Sequence, residues 1–293
     1  MSKEIDIQSV KVYFYIAKLN RIMFYQKFQS SSLLQPFVEC YFVWENNFTI
    51  DQPIKVESPP SGYASMVFNY GEAYHVFDEN NETIAAPKNF LSGQSTKSYQ
   101  LQIKGKIGMV GIVFRPAAIN TLFGLPMYEF SNVRLNLNDV LGKEIDQIQD
   151  RIAEAKTSQE RIEILDNYLI IKILKSEKRP DRTDYIANLI IEKKGIINVS
   201  ELMDDLYVCR RQFERQFLQK VGISPKYYAR IRRISYLCSI MANQRWKIDD
   251  WHDLIYQSGY YDQSHFIKEF TAFTGKSPSL YLKNNVELLN YLD

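Results

Sequence analysis

The sequence predicts an α+β protein of two domains, a β-rich half followed by an all-helical one, and three observations carry that prediction. The chain has 293 residues, which suits two domains at about 100–200 residues each. Up to Arg115 and Pro116, short apolar or aromatic runs alternate with turn residues. Beyond them, apolar positions recur at helical spacing.

The runs 37–44, 64–70, 73–77 and 107–114 are rich in aromatic and β-branched residues. Pro59, Pro60, Gly62, Asn80, Asn81, Ser92 and Gly93 stand between them. This is the pattern of strands and hairpins in a sandwich or barrel. Segments 117–123, 143–155 and 158–175 follow as helices, the last with Ile162, Leu165, Leu169, Ile170 and Ile173 on one side. Residues 176–182 are charged, contain Pro180 and have no apolar side chain, which marks a linker. The expected organisation is a domain over 1–175, a linker over 176–182, a helical domain over 183–285 and a tail over 286–293.

Composition narrows the function. Hydrophobic residues at 45% and charged residues at 24% fit a folded globular chain. No basic segment followed by an apolar run opens the chain, and no stretch nears the ~18 apolar residues of a membrane span. The expected location is the cytoplasm, with no membrane partner. Cys40, Cys209 and Cys238 are distant from one another and form no C-x-x-C pair, so they read as reduced thiols. His75 is the only histidine before the linker, too few for a histidine-based metal site. G-x-S-x-G, P-loop and dinucleotide-binding glycine patterns are absent. No metal, no cofactor and no enzymatic activity are therefore expected. Residues 183–285 hold 15 Lys and Arg against 11 Asp and Glu, whereas residues 1–182 balance. The positive excess sits where a nucleic-acid contact would use it.

Two similar halves make up the helical region. In the first, Leu202 and Leu206 stand at i, i+4, a short break follows, and Phe213 and Phe217 stand at i, i+4 on the next helix. At about 100° per residue, with Phe213 at zero, Arg211 and Arg215 fall on the side opposite the two phenylalanines. A recognition helix needs that layout: an apolar stripe to hold it and long donors to reach base edges. In the second half Gly259 suits the end of one helix and Asp262 the N-cap of the next. Phe266, Phe270 and Phe273 form its apolar stripe, and Gln263, His265 and Lys268 lie at its front and outer side. Both halves read as helix-turn-helix units.

The segment 259–270, followed by Gly275, Lys276, Ser277, Pro278 and Tyr281, resembles the signature of arabinose-operon-regulator-type (AraC/XylS) transcription factors. Gly222, Ser224, Pro225, Tyr228 and Arg233 extend the resemblance to about a hundred residues. It implies two recognition helices joined by a long helix near 225–242, entering successive major-groove segments about 34 Å apart on one face of double-stranded DNA. The implied DNA-binding residues are Arg210, Arg211, Gln212 and Arg215 in the first unit and Gln263, Ser264, His265 and Lys268 in the second. It also implies a cupin-like N-terminal β-core that binds a small-molecule effector or dimerises. RNA polymerase is a further partner if the protein activates transcription.

This chain departs from the family pattern at Met203, Tyr207, Cys209 and Ile255, where smaller or more polar residues are usual. Asp249, Asp250 and Asp253 suit a helix N-terminus better than a DNA face, and Glu214 suits a pairing with Arg210 or Arg211. Tyr63, Phe68, Tyr70, Tyr74, Phe77 and Phe114 are candidate walls of an effector pocket, with core packing the alternative for each. Two other readings stay open: a constitutive DNA binder with a ligand-free N-terminal domain, and an enzyme with a DNA-binding appendage.

Overall fold

The computed structural model describes residues 10–16, 21–77, 82–205, 209–244, 248 and 250–284. Asn80, Asn81, Leu206, Tyr207, Asp249 and the tail 286–293 lie outside them. Among the described residues the N-terminal domain opens with ten strands: β1 (Val10–Ile16), β2 (Arg21–Phe28), β3 (Val38–Asn46), β4 (Ile50–Ser58), β5 (Ala64–Asn69), β6 (His75–Phe77), β7 (Thr83–Ala85), β8 (Asn89–Ser92), β9 (Tyr99–Gly105) and β10 (Gly108–Phe114). Helix α1 (Ala118–Phe123), a 3-10 turn at Met127–Glu129, strand β11 (Arg134–Asn136) and helices α2 (Leu137–Leu141), α3 (Glu144–Glu154) and α4 (Ser158–Lys175) complete it.

The strands form two antiparallel sheets, β1-β2-β3-β10-β5-β8-β11 and β4-β9-β6-β7. β10 occupies the middle of the larger sheet, with Val110 opposite Val43 on one side and Phe68 on the other. Its near-continuous apolar sequence follows from burial on both faces. One face of that sheet, with Met66, Phe68, Val110, Ile112 and Phe114, packs under α1 to α4 through Ile119, Ile148, Leu165 and Leu169. The other face, with Tyr25, Trp44, Val67, Phe90 and Met109, meets Val56, Leu101 and Ile103 of the smaller sheet.

Seven helices follow among the described residues: α5 (Arg182–Glu192), α6 (Val199–Asp205), α7 (Arg210–Val221), α8 (Pro225–Asn243), α9 (Trp251–Gln257), α10 (Gln263–Thr274) and α11 (Pro278–Asn284). The phenylalanine stripes of α7 and α10 close on one core with Tyr228, Ile231, Ile234 and Leu237 of α8, so the long helix is the spine that both units share. Met203 and Ile255, the bulky departures, are buried in that core. Ala117 of the N-terminal domain belongs to it too.

The two domains are docked. Thr121 donates to the buried Asp184 carboxylate (3.0 Å), Ser131 to the Gly222 carbonyl (3.1 Å) and the Ser98 amide to the Phe273 carbonyl (3.0 Å). Lys276 pairs with Glu57. Gly62 has a positive φ of 65°, and a Cβ there would stand 2.7 Å from the Arg232 side chain, so the turn before β5 lies directly on α8. No described helix is long and apolar enough to cross a membrane.

Candidate nucleic-acid interface and effector cavity

Helix α7 buries only Phe213, Phe217 and Val221 and exposes the rest of its first three turns, Arg211, Gln212 and Arg215 included. Both arginines stand opposite the phenylalanines, as the helical angles require, and neither has an acidic partner among the described residues. Arg210 is exposed and gives its Nε to Glu214 at 3.1 Å, an i,i+4 pair of small energetic weight. Cys209 is the N-cap, and its side chain accepts no hydrogen bond.

Helix α10 begins at Asp262, whose carboxylate accepts from the His265 amide at 2.8 Å. Gln263, Ser264, His265 and Lys268 are all exposed. Between them and the core sits Glu269, with a side chain 4% exposed. Arg230 Nε (2.9 Å), Arg233 Nη2 (2.8 Å) and the Tyr260 hydroxyl (2.8 Å) all donate to it, and His265 Nε2 is 3.7 Å away. Burial alone would raise this carboxyl's pKa. The Arg233 charge and the hydrogen bonds from Arg233, Tyr260 and Arg230 outweigh burial and hold it below the ordinary carboxylate value. Glu269 thus ties the second recognition helix to α8. Its role is missed when α10 is read as an outward polar face and an apolar stripe, because a lone Glu beside a phenylalanine stripe gives no sign of its three donors.

Asp250 caps α9, accepting from the amides of His252 (2.7 Å) and Asp253 (3.2 Å), so this part of the acidic cluster is used at a helix start. On the far side of α7, Lys220 pairs with Asp184 (2.6 Å) and Asp181 (2.8 Å). Burial would lower its pKa, but the two carboxylates raise it, and they hold this lysine against the first turn of α5.

A cavity of about 560 Å³ lies between the two sheets and reaches α8. Tyr25, Phe42, Trp44, Tyr74, Phe90 and Tyr99 wall it. Lys27 and Arg134 from the N-terminal domain and Lys194 and Arg232 from the C-terminal domain line it, against the single carboxylate of Glu39. Arg134 lies 4.3 Å over the Tyr99 ring. Arg232 donates to the Ser61 carbonyl and to the Tyr63 hydroxyl (3.1 Å) and lies 4.1 Å over the Tyr63 ring. Burial, opposed by Arg232, pushes the Tyr63 hydroxyl up to about 12, so it stays protonated at neutral pH.

Of the six aromatic residues proposed from sequence, Tyr63 and Tyr74 line this cavity and four do not. Phe68 and Phe114 are fully buried on the opposite face of the larger sheet. Tyr70 packs against that same core, with its hydroxyl on Glu45 and Arg161 4.1 Å over its ring. Phe77 stands on the smaller sheet under Lys55, 4.2 Å from its ring centroid. Strand parity is the cause: on β5, Ser65 and Val67 face the cavity while Met66 and Phe68 face the helices. Among the described residues no group of three or more His, Cys, Asp or Glu could hold a metal ion.

A family described as a helix-turn-helix domain matches residues 202–284, and one described as a domain of unknown function matches residues 26–136. Comparison with curated proteins gives no match. Among solved structures, ToxT from Vibrio cholerae O395 is similar at 17% identity and a TM-score of 0.44, over 82% of this chain and 97% of that one. Unsaturated fatty acid bound ToxT from V. cholerae strain SCE256 gives 16% and 0.44 over 83% and 94%. The AraC-like transcriptional activator CuxR gives 10% and 0.31 over 78% and 86%.

Proposed function

From a chain that carries an AraC-type helix-turn-helix domain over its C-terminal third, we infer a non-enzymatic regulator of transcription, working in the cytoplasm, that reads double-stranded DNA and answers to a small molecule. The observation that carries the DNA-binding reading is the pair of helices α7 and α10 packed on a shared spine. Each presents exposed, acid-free donors, Arg211 and Arg215 on one and Gln263 and Lys268 on the other. Replacing Arg211 and Arg215 together with Ala should weaken specific binding by about 1–3 kcal/mol per base recognised. Gel-shift affinities unchanged at fixed salt would remove both residues from the interface.

Effector sensing rests on the cavity between the sheets. Four cations against one carboxylate, on aromatic walls, suit an anion with an apolar or aromatic body. Residues of both domains line the cavity, so an occupant changes the relative free energy of the docked and undocked arrangements. Regulation needs nothing more than that difference. A thermal-shift panel of carboxylates and their neutral amides tests this. Stabilisation by a carboxylate, absent from its amide and abolished in Arg134→Ala, is the expected pattern. A response indifferent to charge would sink the assignment.

A further inference from the structure

Between the two recognition helices runs an open groove of about 790 Å³, lined by Arg210 and Glu214 of α7, His265 and Glu269 of α10, and Ser224, Lys226, Arg230 and Arg233 along α8. None of the residues on the α8 floor belongs to the sets that read bases. The charges are distributed unequally among partners. Arg210 answers Glu214, and Arg230 and Arg233 share Glu269. Lys226 is exposed and has no acidic partner among the described residues. Arg230 lies one turn further along the same face of α8 and uses only its Nε on Glu269, with its side chain 37% exposed.

We propose that this groove seats the DNA backbone that crosses between the two major-groove segments, with Lys226 and Arg230 on α8 holding its phosphates. The proposal rests on the DNA-binding reading above and adds a third point of attachment to it. If α7 and α10 occupy major-groove segments about one helical turn apart, the intervening minor groove and its two phosphate strands face the floor between them. A groove with a net positive lining and an unpaired lysine is matched to that polyanion. Phosphate contacts of this sort fix register and angle without carrying sequence information. Lys226 and Arg230 would therefore set how the two base-reading helices are placed relative to each other along the duplex, while Arg211 and Arg215 set which sequence they accept.

The test uses the full chain and a duplex recovered by selection from a random pool, beside a scrambled duplex of equal length. Lys226→Ala should weaken binding to both duplexes by the same factor and reduce the slope of log K against log salt by about 0.9, the value for one phosphate. Phosphate ethylation between the two bound segments should interfere with wild-type binding, and in Lys226→Ala the interference should vanish at the phosphate Lys226 holds and persist at the one Arg230 holds. Lys226→Arg should restore both measures. Lys226 is exposed, so the melting temperature should not move, and an equal melting temperature separates a missing phosphate attachment from misfolding. If Lys226→Ala keeps the wild-type affinity and salt slope while Arg211→Ala weakens the selected duplex, the groove is not a phosphate seat and the base-reading assignment stands. If neither substitution changes binding to either duplex, both readings fall.

Discussion

The two helix-turn-helix units solve the same problem with different supports. In the second, the recognition helix carries its own fixings: Asp262 caps its first turn, and Glu269 ties its middle to Arg230, Arg233 and Tyr260. In the first, the N-cap is Cys209 with no side-chain hydrogen bond, and α7 packs on the N-terminal domain. Its C-terminal end packs on α1 and on the 3-10 turn, where a Cβ at Gly222 would stand 2.6 Å from the Met127 carbonyl oxygen. Lys220 meets Asp184, which also accepts from Thr121. A rearrangement between domains therefore reaches the first recognition helix at Lys220 and Gly222, and the second at its C-terminal end through the Ser98 amide on the Phe273 carbonyl and the Lys276–Glu57 pair.

Removing the strongest internal fixing should produce the largest effect. Glu269→Ala leaves the guanidinium of the largely buried Arg233 without its carboxylate and Arg230 and Tyr260 without an acceptor, at a cost of roughly 3 kcal/mol. Chemical denaturation should show it, and in footprinting the second unit's protection should fade before the first's. Glu269→Gln should cost less, because a neutral acceptor remains. Titration gives the same residue a second signature. Its carboxyl is held below the ordinary value, so the pairing contributes its full stability above the unfolded value of about 4.3 and loses it as pH falls through the lower folded value. The wild type should loosen at the second unit in acid along a curve that Glu269→Gln does not follow.

The corresponding change in the first unit, Lys220→Ala, strips the buried Asp184 of its cation but leaves it the Thr121 hydroxyl, and about 2 kcal/mol is the expected destabilisation. It should impair the first unit's footprint and also loosen the domain interface, which limited proteolysis near residues 176–181 would detect. Equal protection of the linker in mutant and wild type would show that the first unit stands without its neighbour.

The second unit was the more legible one in the sequence for the same reason. The signals that reveal it are local, although its tie through Glu269 to Arg230 and Arg233 is not: Asp262 precedes its helix, Gly259 ends the helix before, and the phenylalanines recur at helical spacing within a dozen residues. The first unit's determinants include Thr121, 63 residues from its partner Asp184, and Met127 and Ser131, more than 90 residues before Gly222, and no periodicity within 199–222 points to them. The cavity was legible only as a set of aromatic residues. Aromatic content cannot say which face of β5 or β10 turns toward the smaller sheet, so Phe68 and Phe114 were indistinguishable from Tyr74 until the strands were paired. Arg232, one of the two C-terminal cations at the cavity, stands in a run of arginines on α8. In sequence it looks no different from Arg230 or Arg233, which serve Glu269 instead.

The smallest effects test the caps themselves. Asp262→Ala should destabilise the second unit by about 1 kcal/mol, the usual worth of an N-cap acceptor. Cys209→Ser should run the opposite way. The backbone at Cys209 has φ −59° and ψ 115°, outside the helical region, and a serine hydroxyl there can accept from an amide of the first turn of α7. A gain of up to about 1 kcal/mol is expected. If the first unit takes its order mainly from the N-terminal domain, that gain should be small in the full chain and larger when Lys220→Ala has loosened the interface. The double-mutant cycle between Cys209→Ser and Lys220→Ala measures this dependence. Strict additivity would show that the cap and the domain interface act on α7 independently, and the contrast between the two units would then be one of local capping alone.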